Sequence, residues 1–511
     1  MIYSRTRKYI TFTLAFVAAI SISLYCLHKE KSVCMGVPII SERAAARFES
    51  YVQQDFNDRI LHMDAPVAID NASSTIYISQ NIDSTTLYTE LDGVLKTLEN
   101  QPLCFVEDDA FNNFAQAVKD GHRFRLIVDT GDRTYMDYYV VFTNLPVIRI
   151  TGDLSYVNEE ERNVYAGDFI IWDSCYEGTG KYSVKTSLLE WNRRGNSTMW
   201  DDKKSWKLAF KNEDGTNNDM EFLGLDQSDD DWILNAIHRD DTKVREKMVM
   251  EMWNSMLDST PYNYPMTTGE YVEVVSNGKY VGLYLLQRRL DGKYLELEDE
   301  VLLKSIKGKE GDPIENFFEI KYSTYEGDKL WQTLDSLYTL ESAQYIDLKS
   351  WIDVSLYVDL GYMADNSGRK NVYFIAENID ADPVVRLLLW DTDFSFGVSY
   401  SDGFVHKPEG ATEKRRFRHE EHAMRAEYPD LDKMLAERWF QLRESVITEE
   451  NMFAIIQQNI DKINLCGAHN RELELWGNYY KGGTDTVETL CNYITLRLDF
   501  LDSEYAKILA Q

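Results

Sequence analysis

The stretch DNSGRKNVYFIAENIDADPVVRLLLWDTDFSFG, Asp365 to Gly397, decides how the rest of the chain reads. Asp365 ends a helical pattern over Val354 to Ala364, and a polar loop, Asn366 to Lys370, leads to Asn371. Val372-Tyr373-Phe374-Ile375-Ala376 is an apolar run rich in β-branched and aromatic residues, which predicts a strand. Asn378 to Pro383 holds turn residues, and Val384 to Trp390 predicts the returning strand. The hairpin ends in Asp391-Thr392-Asp393-Phe394-Ser395-Phe396-Gly397.

Residues i and i+2 of a strand share a face, so Asp391 and Asp393 can present two carboxylates to one point. Hard divalent cations take oxygen ligands, commonly one or two carboxylates plus substrate phosphates. Gly397 lets the chain turn closely beneath such a site. The competing reading is a hairpin with solvated acidic ends. The order carboxylate, loop, Asn, strand, turn, strand, Asp is that of the protein-kinase catalytic segment, with Asn371 one position further from Asp365 than the spacing there.

Upstream, Arg193-Arg194-Gly195-Asn196-Ser197-Thr198 lies between two predicted strands, Tyr182 to Trp191 and Ser205 to Lys211. Glycine and small hydroxyl residues expose backbone N–H groups that can cradle phosphates. Lys203, Lys204 and Lys207 follow, where a strand lysine can pair with the phosphates. The alternative is an ordinary polar hairpin with a solvated lysine edge. His238-Arg239-Asp240 spells the kinase catalytic tripeptide, but Arg245 stands where that motif needs Asn. Asp240 and Asp241 precede a predicted helix, Asp241 to Met256, where aspartate caps free N–H groups.

The composition is globular, with 44% hydrophobic and 27% charged residues and only 10 prolines among 511 residues. A net charge of −31 argues against nucleic acid as a partner, because phosphate binding needs a basic face. It suits solubility outside the cytoplasm, or attraction of a basic substrate. Arg5, Arg7 and Lys8 precede an uncharged, mostly apolar run, Tyr9 to Leu27, which reads as an export signal. The run exceeds the roughly 7–15 apolar residues of a cleaved signal. It approaches the ~20 that span a bilayer, which predicts an anchor with its basic end inside. Cys26 follows Ser23-Leu24-Tyr25, a degenerate lipoprotein signal that makes lipidation a lesser alternative. The six cysteines form no zinc pattern, and Cys466 with Cys491 is the expected disulfide pair.

These patterns divide the chain into a signal or membrane-anchor segment (1–34), a small β-rich accessory domain (35–144) and a larger unit (145–511). Residues from about Met35 to Asp55 read as helical and polar. In the larger unit, Glu270 to Ser276 and Tyr280 to Leu286 form a hairpin across Asn277-Gly278, and from Leu431 onward the pattern is mostly helical. Strands first and helices later predict an α+β class.

Four blocks in order resemble the CotH (spore coat protein H) kinase-like family. They are Arg194-Gly195-Asn196-Ser197-Thr198 with Lys204-Ser205-Trp206-Lys207-Leu208, then Asp231-Trp232-Ile233-Leu234 with Asp241-Thr242-Lys243-Val244-Arg245. Asn277 to Leu286 and Trp390 to Gly397 follow. The resemblance covers about Leu145 to Tyr505. It implies a divergent protein-kinase-like two-lobed fold, with a sheet-rich N-lobe and a helical C-lobe. It further implies an exported protein kinase that uses ATP with Mg2+ or Mn2+ and phosphorylates Ser/Thr of a protein acceptor, basic and Ser-rich in studied members. Carried over by position, Asp365 would be the catalytic base, and Asp391, assisted by Asp393 and Asn371, would hold metal. Arg194, Gly195, Asn196, Ser197 and either Lys204 or Lys207 would hold the nucleotide. The family usually has Glu shortly after the Tyr-Leu-Leu run; here Gln287-Arg288-Arg289 stand in its place. A non-catalytic surface protein on the same scaffold, or another metal-dependent transferase or hydrolase, are the alternatives.

Overall fold

The computed structural model of the chain describes residues 33–54, 60–152, 154, 163–174, 182–195, 197–221, 223–224, 228–306, 316–325, 342–366, 371–399, 403–404, 407–410, 418–480 and 482–511. The expected anchor, with Cys26, lies outside these residues, as do Cys175 and Asn196. Among the described residues no helix is long and apolar enough to cross a membrane. Helix and strand make up similar shares, 32% and 31%, and strands dominate the first part while helices dominate the last, so the class is α+β as expected.

Eight strands between Val33–Cys34 and Thr134–Thr143 form the first sheet, whose central hairpin pairs Phe124–Gly131 with Thr134–Thr143, while Ala65–Pro66, Ile60–His62 and Leu95–Thr97 form a separate small sheet. Both tight-turn residues, Asp132 and Arg133, have positive φ, as the primed turns of two-residue hairpins require. The stretch expected to be helical contains strands Val37–Ile40 and Val52–Gln53, with only a single turn of α-helix at Glu42–Ala45 and a 3-10 turn at Ala46–Ser50. Cys34, Val37 and Phe48 are buried there, so inward-facing side chains fix its form more than its polar residues suggest.

Seven strands then close into a barrel, in the order Val147–Ile150, Tyr165–Asp173, Ser183–Arg193, Trp206–Lys211, Asp231–Asn235, Lys279–Arg288 and Gly269–Ser276. Closure comes from parallel pairing of Val147–Ile150 with Gly269–Ser276. Strand alternation sends Trp206, Leu208 and Phe210 into the interior, where they meet Trp191, Phe169 and Trp232. The outward residues, Lys207 among them, are left for the surface that faces the next layer. Asn277 and Gly278 take positive φ at 47° and 72° in the expected tight turn.

A four-stranded antiparallel sheet follows, ordered Phe318–Tyr322, Val301–Ser305, Val372–Glu377 and Val384–Leu389. Helix Leu348–Gly361 covers it, with Ser350 Oγ accepting from the Leu387 amide at 3.0 Å. Five described helices, Arg418–Glu427, Leu431–Arg443, Glu449–Asn464, Ala468–Trp476 and Val487–Leu509, complete the C-terminal part. Helix Arg245–Ser255 lies between barrel and helices, and even its Arg245, Glu246 and Lys247 are buried. It starts four residues later than expected, because the Asp240 carboxylate accepts from the amides of Thr242 (3.1 Å) and Arg245 (2.8 Å).

The first sheet is tied to the barrel. Tyr77 stacks on Tyr280 at 4.4 Å, and the Tyr280 amide donates to Asp70 Oδ2 at 2.9 Å. Cys466 and Cys491 are not a disulfide: both are free thiols, Cys466 fully buried and Cys491 partly so. Burial holds both thiols above their usual range, which makes them inert.

Candidate active site

A cleft of about 610 Å³ separates the outer face of the barrel from the end of the four-stranded sheet. The hairpin Val372–Glu377/Val384–Leu389 presents its open end there. Trp390 N donates to Asn371 O at 3.0 Å, just outside the first ladder pair, Val372 with Leu389. Asn371 and Asp391 flank that closure, and both take the left-handed conformation, with φ of 56° and 58°. Asn and Asp bear this backbone best among residues with a Cβ, yet it costs roughly 1–2 kcal/mol each. The brace is Asn366, a fully buried residue whose Nδ2 donates to Asn371 O (3.1 Å) and to Trp390 O (2.7 Å).

Asp365 stands on the short turn Ala364–Asn366, after helix Leu348–Gly361 is stopped by Tyr362 in the left-handed region. Asn371 Nδ2 donates to Asp365 Oδ2 at 3.4 Å. The cleft is therefore lined together by Asp365, Asn371, Asp391 and Asp393. The carboxylates do not meet as strand neighbours, since the strand ends at Leu389 and Asp391 turns left-handed before Asp393.

A third acid, Glu246, joins them from helix Arg245–Ser255. Burial and then the charge of Asp391 raise its carboxyl to about 7, while Asn235 Nδ2 holds it at 2.8 Å. Burial and the same two acids push Asp393 well above the usual carboxylate range, with Arg239 offsetting only part. Acids that repel one another can accept a proton, and the oxygens of Asp391 and Asp393, which line the cleft, suit a hard metal; Glu246 lies behind them and does not line it. Glu246 carried no sequence signal, because its acidity is turned inward by a helix buried on all sides.

On the opposite wall the cleft meets Arg194 and Gly195. Gly195 has φ of 96°, and a Cβ there would sit 1.9 Å from Thr198 Oγ1, so only glycine fits this turn. Ser197 begins the 3-10 turn Ser197–Trp200. The three lysines diverge. Lys203 is fully buried on Glu472 at 2.6 Å, and its ammonium is lowered to about 8, burial outweighing that carboxylate. Lys204 Nζ donates to Met199 O at 3.1 Å and to Asp201 O, and does not line the cleft. Lys207 lines it while paired with Asp231 at 3.0 Å.

The tripeptide His238-Arg239-Asp240 has structural duties. Burial and the cations Lys243 and Lys203 lower His238 to about 3, so it stays neutral. Arg239 grips Asp201 with two bonds, of 2.6 and 2.8 Å. Asp240 caps the helix and pairs with Arg245 at 2.6 Å. The positive charges that replace the family's Glu are balanced in turn. Arg288 pairs with Asp229 at 3.0 Å and Arg289 with Asp231, while Gln287 Oε1 accepts from Asn235 at 3.3 Å.

The cleft is lined by cations from both the barrel and the sheet and by the acids Asp365, Asp391 and Asp393. The family is set by the sequence model for CotH kinase protein, which matches residues 192–501. That match covers 310 of 511 residues (501 − 192 + 1), more than half, so the chain belongs to the CotH kinase family. No curated protein matches the chain.

Proposed function

We propose that the protein is an ATP- and metal-dependent protein kinase on a divergent two-lobed kinase-like scaffold. In this reading it works outside the cytoplasm, held at the membrane by 1–34, and phosphorylates Ser/Thr of a basic protein acceptor. The observation that carries the reading is the meeting of Asp365, Asn371, Asp391 and Asp393 in one cleft facing Arg194 and Gly195. The barrel corresponds to the N-lobe and the sheet with its helices to the C-lobe. A net charge of −31 favours encounter with a cationic acceptor.

Asp391 and Asp393, with Asn371 beside them, would hold Mg2+ or Mn2+ in the cleft. The metal, when bound, offsets phosphate charge as it builds in the transition state. Asp365 takes the acceptor hydroxyl's proton as that oxygen bonds to the γ-phosphorus and ADP leaves. Asn371 fixes the orientation of Asp365 through its side-chain amide. The Gly195 turn gives the phosphates close access to backbone N–H groups.

The test uses the whole chain, labelled ATP, Mn2+ and a basic Ser-rich polypeptide. Asp365→Asn is expected to keep nucleotide binding and lose transfer by at least a hundredfold, within the usual share of a general base. Asp391→Asn is expected to weaken metal-nucleotide binding itself. Wild-type transfer in both variants would overturn the assignment.

A further inference from the structure

Five cations of the cleft are committed to carboxylates: Lys203 to Glu472, Lys207 and Arg289 to Asp231, Arg239 to Asp201, and Lys321 to Glu319. Lys304 and Arg194 also line it, and neither has an ion-pair partner among the described residues. In a chain with 85 acidic residues against 54 basic ones, two unpaired cations facing one cleft call for a ligand.

Their geometry places them on a common surface. Lys304 lies on strand Val301–Ser305, beside Tyr373 on one neighbouring strand and Glu319 on the other. Glu319, the acid best placed to neutralise it, holds Lys321 instead. The Tyr373 ring meets Trp390 edge-on at 5.8 Å, and the Arg194 guanidinium covers Trp390 at 5.5 Å. A desolvated ammonium is costly unless a ligand completes it. Burial lowers the Lys304 ammonium for that reason, with Asp391 offsetting part of it.

We propose that Lys304 and Arg194 form the subsite that binds the polyphosphate chain of the nucleotide. The inference rests on the kinase reading for the identity of the ligand. It moves the principal phosphate lysine from the segment after the glycine turn to the strand Val301–Ser305. Lys207 keeps its place against Asp231 and contributes little.

The test is calorimetric titration of the metal-free whole chain with inorganic tripolyphosphate, beside melting curves. Lys304→Met is expected to weaken binding at least tenfold, and Lys304→Arg to stay within about threefold of wild type. Lys279→Met, an exposed control away from the cleft, is expected to bind as wild type. The melting point of Lys304→Met without ligand is expected to be unchanged or higher, since Lys304 has no ion pair among the described residues to lose and its burial disfavours the charge. A merely structural lysine would lower it. Wild-type binding by Lys304→Met, or no tripolyphosphate binding by the wild-type chain at millimolar concentration, would overturn the proposal. Tripolyphosphate binding that needs Lys304, without any phosphoryl transfer from ATP, would uphold the subsite and end the kinase reading.

Discussion

Replacing Asn366 tests whether the hairpin's open end is held by one buried amide. Its Nδ2 serves two carbonyls, Asn371 O at 3.1 Å and Trp390 O at 2.7 Å. In Asn366→Ala, Asn371 O keeps the Trp390 amide at 3.0 Å, whereas Trp390 O loses its side-chain donor. One buried carbonyl left unsatisfied costs about 1–3 kcal/mol, and the second bond contributes about 1 kcal/mol net. The sum is about 2–4 kcal/mol, against a left-handed conformation at Asn371 and Asp391 that itself needs support. Asn366→Asp is predicted to be worse, because it keeps the shape but aims a buried carboxylate at two carbonyl oxygens. Hydrogen exchange over Val372–Leu389 measures this locally. If opening of the hairpin governs exchange, the loss in Asn366→Ala corresponds to rates roughly 30- to 700-fold faster, at 1.4 kcal/mol per factor of ten. Exchange in Asn366→Asp as slow as in wild type would refute the brace, as would an Asn366→Ala effect below threefold.

Two further outcomes follow from buried charge. Arg245 pairs with Asp240 and Asp485, both at 2.6 Å, with all three side chains shielded from solvent. Arg245→Met strands two carboxylates, a loss of about 3–5 kcal/mol, and a melting midpoint equal to wild type would contradict it. Glu246 has its folded-state carboxyl raised to about 7, above its unfolded value, so the folded chain binds the extra proton between roughly pH 4.5 and 7. The metal-free protein is therefore expected to lose stability as pH rises through that window, and Glu246→Gln to lessen the slope while Asp393, also raised by burial and Asp391, keeps part of it. Melting curves at pH 5 and pH 8, with and without Mn2+, check this. A slope as steep in Glu246→Gln as in wild type would refute the assignment.

What could be read in the sequence was what near neighbours decide. The hairpin from Val372 to Leu389 and the Asn277-Gly278 turn were legible because strand periodicity and turn chemistry act within a few residues. The barrel's closure was not, since Val147–Ile150 and Gly269–Ser276 are about 120 positions apart and pair in parallel. Asp391 and Asp393 were read as partners on a strand face. They share the cleft by another route, a left-handed turn past the strand end. Glu246 and Lys304 gave no signal, because each takes its role from a neighbour far along the chain, and Asn366 gave none because its amide acts only once the hairpin brings Asn371 O and Trp390 O together. The expected pairing of Cys466 with Cys491 failed because sequence spacing says nothing about where two thiols point.

The same dependence on distant neighbours explains why His238-Arg239-Asp240 is not a catalytic triplet despite its spelling. The segment from Arg471 to Asp485 returns to the barrel and meets the residues around that tripeptide with opposite charges. Glu472 takes Lys203, Asp485 takes Arg245, and the amides of Tyr479 and Tyr480 bind Asp241 at 2.6 and 3.2 Å. Arg471 closes the set on the buried Glu273 with bonds of 2.9 and 2.7 Å. Each contact joins the barrel side of the cleft to the helical part, and Arg245 extends the linkage to Ser395 O, two residues beyond Asp393. A catalytic carboxylate at Asp240 would have to give up Arg245, Thr242 and the helix start together. At the hairpin's end Asp365, Asp391 and Asp393 line the cleft, whereas cations and amides already surround Asp240, Asp241 and Asp485.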